Sequence, residues 1–197
     1  MKLRALLGAA AFAVALSTPA HAQFDITFDE VAAGTLADGL TIEGVTFGFP
    51  TTDAAVGFGP GCIVWVCDPS LEGDVSRILS MSFSGAGAYK LGFGIARSGP
   101  APATTFVALY DASNVAFLVR ELTLTVPQGG IFPELRFNWT SMGQFAVRAE
   151  IRHASPEPFE RFALDNIQGT VVPEPGTVAL LGTGLVGLVL AGRRRSA

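Results

Sequence analysis

Between Gln23 and Val172, apolar and polar residues alternate over short runs. Phe24-Asp25-Ile26-Thr27-Phe28 alternates, and so does Leu40-Thr41-Ile42-Glu43, which resumes after Gly44 as Val45-Thr46-Phe47. Runs of the same kind cover Val75–Phe83, Tyr89–Ala96, Thr105–Tyr110, Val115–Val126, Leu135–Trp139, Phe145–Arg152 and Phe162–Ile167. A period of two carried by Val, Ile, Phe and Thr marks strands with one face buried. Gly, Pro, Asp and Asn punctuate them at 57–61, 98–102, 111–114, 127–130 and 155–158, where turns belong. No window of this body holds a helical period. About nine short strands so spaced predict an all-β domain, an antiparallel β-sandwich of the jelly-roll kind.

The two ends follow other rules. Lys2 and Arg4 precede an apolar stretch from Ala5 to Leu16, and Ala20-His21-Ala22 follows with small residues around a polar one. That order reads as a secretory signal peptide over 1–22, cut between Ala22 and Gln23. At the other end, Val172-Pro173-Glu174-Pro175-Gly176 leads into 17 uncharged residues, 176–192, and then Arg193-Arg194-Arg195. As a transmembrane helix, 176–192 would reach about 25 Å, near the lower limit for a hydrocarbon core of about 30 Å. Its glycines are better tolerated in a membrane than in water. The three arginines would stay cytoplasmic and the body would lie across the membrane. The expected organisation is therefore a signal peptide (1–22), a β-sandwich (23–171) and a C-terminal signal (172–197).

The Pro173-Glu174-Pro175 motif, the apolar run and the Arg193–Arg195 cluster resemble the PEP-CTERM sorting domain of Gram-negative bacteria. The resemblance implies export through the Sec translocon, cleavage by signal peptidase, transient anchoring in the inner membrane, and processing near Pro173-Glu174-Pro175 by an exosortase. It further implies release of the body to the cell surface or extracellular matrix, where polysaccharide is a possible partner.

The body of 150 residues is the size of one domain. Setting aside Lys2, Arg4 and the three terminal arginines leaves eight basic residues; setting aside Glu174 leaves sixteen acids, a net charge of −8. Such a balance argues against nucleic acid and anionic membrane surfaces as partners, and is compatible with calcium.

Ile26-Thr27-Phe28-Asp29-Glu30 and Phe162-Ala163-Leu164-Asp165-Asn166-Ile167 are similar to the first and last strands of extracellular jelly rolls of the carbohydrate-binding-module type. That resemblance implies adjacent termini sharing a structural calcium ion, with Asp29 and Asp165 as ligands and Glu30 nearby. Oxygen donors of this kind suit calcium. The competing reading is that these acids cap strand ends on a solvated rim.

Cys62 and Cys67 are the only cysteines. In a secreted chain a disulfide is the expectation. Five extended residues span about 16 Å, far beyond the reach of a bridge, so pairing requires a closed loop that exposes Trp65 as a candidate ligand-binding tip. The alternative is a buried strand with two free thiols. No catalytic motif stands out. Once the signal is removed, His153 is the sole histidine, and its place at a strand end before a Pro-rich turn predicts a surface position. Gly182-Thr183-Gly184-Leu185-Val186-Gly187 matches a dinucleotide fingerprint but has no preceding strand of a βαβ unit. Asn138-Trp139-Thr140 is a formal glycosylation sequon that strand packing explains as well. Two function classes follow. One is a non-catalytic surface or matrix protein whose sandwich binds carbohydrate or another matrix component. The other is a secreted, glycosidase-like hydrolase, which needs a cleft with two carboxyl groups about 5–10 Å apart.

Overall fold

The computed structural model describes residues 22–59, 61–62, 64–128, 130–154, 159–173, 182 and 184. The signal segment, Glu174, Pro175, Arg193–Arg195 and all of the 176–192 run except Gly182 and Gly184 lie outside the described residues. Among the described residues no helix is long and apolar enough to cross a membrane.

Among the described residues, twelve strands form two antiparallel six-stranded sheets. The first sheet holds β10 (Glu134–Thr140), β7 (Gly87–Arg97), β12 (Arg161–Val172), β5 (Ser70–Asp74) and β4 (Ala55–Gly57) in that order, and β1 (Ala22–Ile26) also pairs with β12. The second runs β2 (Thr41–Ile42), β3 (Val45–Gly48), β6 (Leu79–Phe83), β11 (Arg148–His153), β8 (Ala103–Tyr110) and β9 (Ala116–Leu124). From β5 onward the chain repeatedly passes between the sheets, and both remain antiparallel: this is the expected sandwich, wrapped in jelly-roll fashion.

One buried cluster fills the space between the sheets. The first sheet contributes Phe24, Ile26, Leu91, Phe93, Ile95, Phe137, Phe162 and Leu164; the second contributes Phe47, Leu79, Met81, Val107, Leu109 and Ile151. Phe24 on the first sheet and Phe83 on the second tie the layers together with centroids 6.1 Å apart, and within the first sheet Phe93 and Phe137 pair at 4.9 Å. Each such ring contributes roughly 1.5–3 kcal/mol through burial alone.

Several expected boundaries move. Of the run Val75–Phe83 only Leu79–Phe83 is strand: β5 ends at Asp74, and Asp74 Oδ1 accepts the Ser76 amide at 2.6 Å to turn the chain before β6. β4 and β5 carry only two large apolar residues, Val56 and Leu71, so their alternation is too short to read. β1 stops before Phe28, which adopts a left-handed φ of 62°. β12 extends to Val172, twelve residues in all, and so runs into the sorting signal.

β12 changes partners midway. Residues 161–164 pair with β5, and 167–171 pair with β1. Between them the ladder to β7 shifts register from Asp165 to Gln168, and Asn166 takes a φ of 52°. This bulge faces the ends of β1 and β5.

Candidate functional site

Alternation decides which residues reach the outer face of the first sheet. On β7, Leu91, Phe93 and Ile95 point into the core, so Gly92, Gly94 and Ala96 lie outside. On β12, Phe162 and Leu164 point inward, leaving Ala163 and Asp165 outside. Small residues thus form a trough along the outer face, and the loop between β4 and β5 lies in it. Val66 is fully buried against Ala96 and Ala163. The approach is close: a Cβ on Gly94 would sit 2.0 Å from the Trp65 carbonyl oxygen.

The loop is held by its backbone. Cys62 and Cys67 are joined by a disulfide with Cα atoms 3.9 Å apart. The Trp65 amide donates to Glu134 Oε2 at 3.2 Å and the Cys67 amide to Asp165 Oδ2 at 3.0 Å. Asn166 Nδ2 donates to the Trp65 carbonyl at 3.1 Å, and the Gly61 amide to Asp68 Oδ2 at 2.8 Å. Trp65 keeps 39% of its surface exposed. The Arg136 guanidinium lies over it, 5.5 Å from the centroid, a cation–π arrangement that steadies both groups.

Beyond Arg136 the same face opens into a groove of about 390 Å³, floored by Gly92 and Gly169 and lined by Gln23, Asp25, Lys90, Arg136, Asn138, Gln168 and Thr170. Arg136 Nη2 donates to Gln168 Oε1 at 2.9 Å. A smaller hollow of about 150 Å³ involves Gly59, Glu72, Ala96, Arg97, Ser98, Phe132 and Arg161. Each lining includes one carboxyl group, Asp25 in the groove and Glu72 in the hollow. Burial pushes the Glu72 carboxyl up, and the nearby Arg161 opposes this.

The nominated acids part company. Asp165 lies in the β12 bulge, only 2% exposed, and its Oδ1 has no hydrogen-bond partner. Burial raises its pKa to about 6; the Cys67 and Asn166 amides oppose the rise, and the charges of Asp29 and Asp68 add to it. It is therefore no cap on a solvated rim. Asp29 follows β1, exposed, with its Oδ2 accepting the Thr27 hydroxyl at 2.8 Å. Asp68, which precedes β5, is a third acid at the junction that sequence reasoning passed over. Glu30 is exposed and is not among the charges acting on Asp165. Among the described residues, no three of His, Cys, Asp or Glu stand close enough together to hold one metal ion.

His153 is not on the surface. It continues the inward series of Ala149 and Ile151 on β11, is 6% exposed, and stacks on Phe162 at 5.4 Å. Thr105 Oγ1 and His153 Nδ1 are 2.8 Å apart. Burial, reinforced by the charge of Arg97, lowers its pKa to about 3, so it stays neutral. Arg97 and Glu160 form a buried ion pair beside it, and Arg97 Nη1 also donates to the Ala154 carbonyl at 2.9 Å. This ensemble is structural: it lies below the outer face, and of it only Arg97 and Phe162 border a cavity, the smaller hollow.

No curated protein sequence matches the chain. Solved structures similar to it include a mutant of the family 29 carbohydrate-binding module CBM29-2 in complex with cellulohexaose, at 8% identity, with 78% of this chain and 93% of that chain covered and a TM-score of 0.45. CBM29_1 from Piromyces equi is similar at 12% identity, 77% and 91% coverage and a TM-score of 0.43. A cleaved adhesin domain of Lys-gingipain from Porphyromonas gingivalis is similar at 14% identity, 77% and 99% coverage and a TM-score of 0.44. The family model of the PEP-CTERM protein-sorting motif matches residues 171–195, so the tail of this chain is a PEP-CTERM sorting motif and marks an exported protein.

Proposed function

We propose that this chain is an exosortase-processed protein of the cell surface or extracellular matrix, and that it binds carbohydrate without catalysis through the outer face of its first sheet. The observation that carries the reading is the groove itself. An open channel, floored by glycine and walled by amide, hydroxyl and cationic donors, runs up to a half-exposed indole. Sugars present hydroxyls around a ring with apolar faces, and a polar cleft beside an aromatic plane matches both. On this reading Asn138, Gln168 and Thr170 contact hydroxyls, and Trp65, set by the disulfide loop, contacts a ring face. The hydrolase alternative finds no pair of carboxyl groups in either cavity lining and is not proposed.

The proposal includes a calcium ion at the junction of β1, β5 and β12. Asp165, with an unpartnered buried oxygen, and Asp29, whose charge reaches it, would supply its carboxylates, and backbone carbonyls the remaining oxygens. Bound there, calcium would neutralise the clustered charge and fix the bulge beneath the loop. A rise in melting temperature on adding calcium, lost in Asp165→Ala, supports this; an unchanged melting temperature overturns it.

The carbohydrate reading is tested by affinity electrophoresis of the purified protein against a panel of soluble polysaccharides. Retardation by at least one of them, weakened in Asn138→Ala and Gln168→Ala, is expected. Free migration through every gel would end the reading. Intact mass of the protein recovered from its host tests processing: a species from Gln23 to about Pro173 is expected, and a membrane species retaining Arg193–Arg195 would overturn it.

A further inference from the structure

We infer that the ligand of this groove is an acidic polysaccharide carrying carboxylate groups, a polyuronate in chemical terms. The inference rests on the carbohydrate reading above and narrows it. The body is strongly acidic, yet two of its eight basic residues line this one groove, against a single acid. Lys90 and Arg136 also take no part in the ion pairs among the described residues, which are Arg97–Glu160, Arg148–Glu150 and Arg161–Glu72. A protein with twice as many acids as bases had many ways to neutralise these two cations and has not done so.

Their placement fits a chain ligand. Lys90 lies on β7, paired with Thr140 on one side and Thr170 on the other. Arg136, on β10, pairs with Gly94, four residues further along β7. At about 3.3 Å per residue that is roughly 13 Å along the strands, too far for both cations to meet one sugar ring. They address different residues of a polymer laid along the groove. Asn138 and Gln168, both opposite Gly92, lie between them for neutral hydroxyls.

The chemistry of each cation favours a carboxylate. Arg136 is oriented from two sides, by the Trp65 ring and by the hydrogen bond from Nη2 to Gln168. Its remaining N–H donors keep the planar fork that fits a carboxylate. Lys90 is exposed and supplies a point charge. Repulsion from the acidic remainder of the body is screened within about 8–10 Å at physiological salt, so the local pair of cations governs contact with a polyanion.

The test is affinity electrophoresis of the purified full-length protein in gels containing polygalacturonate, dextran sulfate or a neutral galactomannan, at low and at physiological salt. The expected result is retardation by polygalacturonate that weakens as salt rises, with neither of the other polymers as effective. Arg136→Gln and Lys90→Gln should each weaken it about tenfold or more. Arg120→Gln, on exposed β9 of the opposite sheet, should leave it unchanged. Binding of galactomannan alone overturns the acidic class while the carbohydrate reading survives. Dextran sulfate binding as well as polygalacturonate refutes the choice of carboxylate. Equal loss in Arg120→Gln means that bulk charge acts rather than the groove. Binding of none of the polymers removes both readings.

Discussion

Gly94→Ala is the sharpest probe of how the outer face is built. The added Cβ would lie 2.0 Å from the Trp65 carbonyl oxygen, 2.6 Å from its carbon and 3.0 Å from the Trp65 Cβ. Two of these three atoms are backbone and cannot rotate away, so the disulfide loop must lift from the sheet. Lifting breaks three hydrogen bonds, to Glu134, Asp165 and Asn166, at about 1 kcal/mol each. It also returns Val66 to water, a loss of roughly 1.5–3 kcal/mol. Against this gross loss of about 5 kcal/mol stands the freedom regained by a loop of a few residues, already limited by its bridge, and the rehydration of two carboxylates. The net expectation is roughly 2–4 kcal/mol, or a fall in melting temperature of about 5–15 °C for a body of this size. Calorimetry measures the fall. Tryptophan emission in a Trp139→Phe background reports Trp65 alone, since the chain has two tryptophans, and should shift to the red. A variant that melts with the parent and leaves Trp65 emission unchanged would refute the seating of the loop on Gly94.

Other perturbations read other parts of the design. Because the pKa of Asp165 is raised from 3.8 to about 6 in the fold, the stability linked to it is fully present below pH 3.8 and is lost as pH rises through about 6. A shift of this size corresponds to roughly 3 kcal/mol, so in EDTA the stability difference between Asp165→Asn and the parent should change in the variant's favour from pH 4 to pH 8; a flat difference would refute the shift. Replacing both Cys62 and Cys67 by serine should cost about 2 kcal/mol through loop closure entropy, measurable as a lower denaturant midpoint with an unchanged slope. Glu160→Ala leaves the Arg97 guanidinium buried without its carboxylate partner and should cost about 3–5 kcal/mol, whereas Glu150→Ala, at the partly exposed pair with Arg148, should cost about 1 kcal/mol or less; chemical denaturation of the two variants checks the contrast.

The sandwich was legible because its central strands alternate cleanly. Leu91-Gly92-Phe93-Gly94-Ile95-Ala96 names its own inner face, and the structure buries Leu91, Phe93 and Ile95 as that pattern requires. The short edge pieces β4 and β5 were not legible, since three to five residues with one large apolar group give no period to read. The groove was missed for a different reason. Lys90, Asn138 and Gln168 are ordinary outward residues of their own strands, and only the register that sets the last two opposite Gly92 makes them neighbours. One signal was available: glycine at successive outward positions leaves a sheet face bare, and something must lie on it. His153 could also have been placed by continuing the alternation of Ala149 and Ile151, but its chemistry argued for the surface and prevailed. Asp165 was singled out by its motif, while Asp68 was hidden beside Cys67, because only the change of partners along β12 brings the ends of β1 and β5 to the same bulge.

The fold and the sorting motif share residues. The matched motif begins at Val171, and Val171 and Val172 are still strand: Val171 pairs with Ala22 on β1, and the Val172 carbonyl accepts the Ala86 amide at 2.8 Å. The extended backbone favoured before a proline is the backbone a strand already has, so Pro173 ends the ladder without distorting it. Both proposed processing points, after Ala22 and near Pro173, therefore leave the sandwich side by side at one end of β12. The groove lies at that same end, because Gln23 pairs with Thr170 and Thr170 with Lys90. If the 176–192 run enters the membrane before processing, this geometry would hold the cationic wall of the groove close to that point. After processing it would hold a bound polymer beside whatever group the new C-terminus carries. A ligand site at the opposite end of the sandwich would be remote from both, so on the proposed reading the pairing of β1 with β12 would couple attachment to recognition.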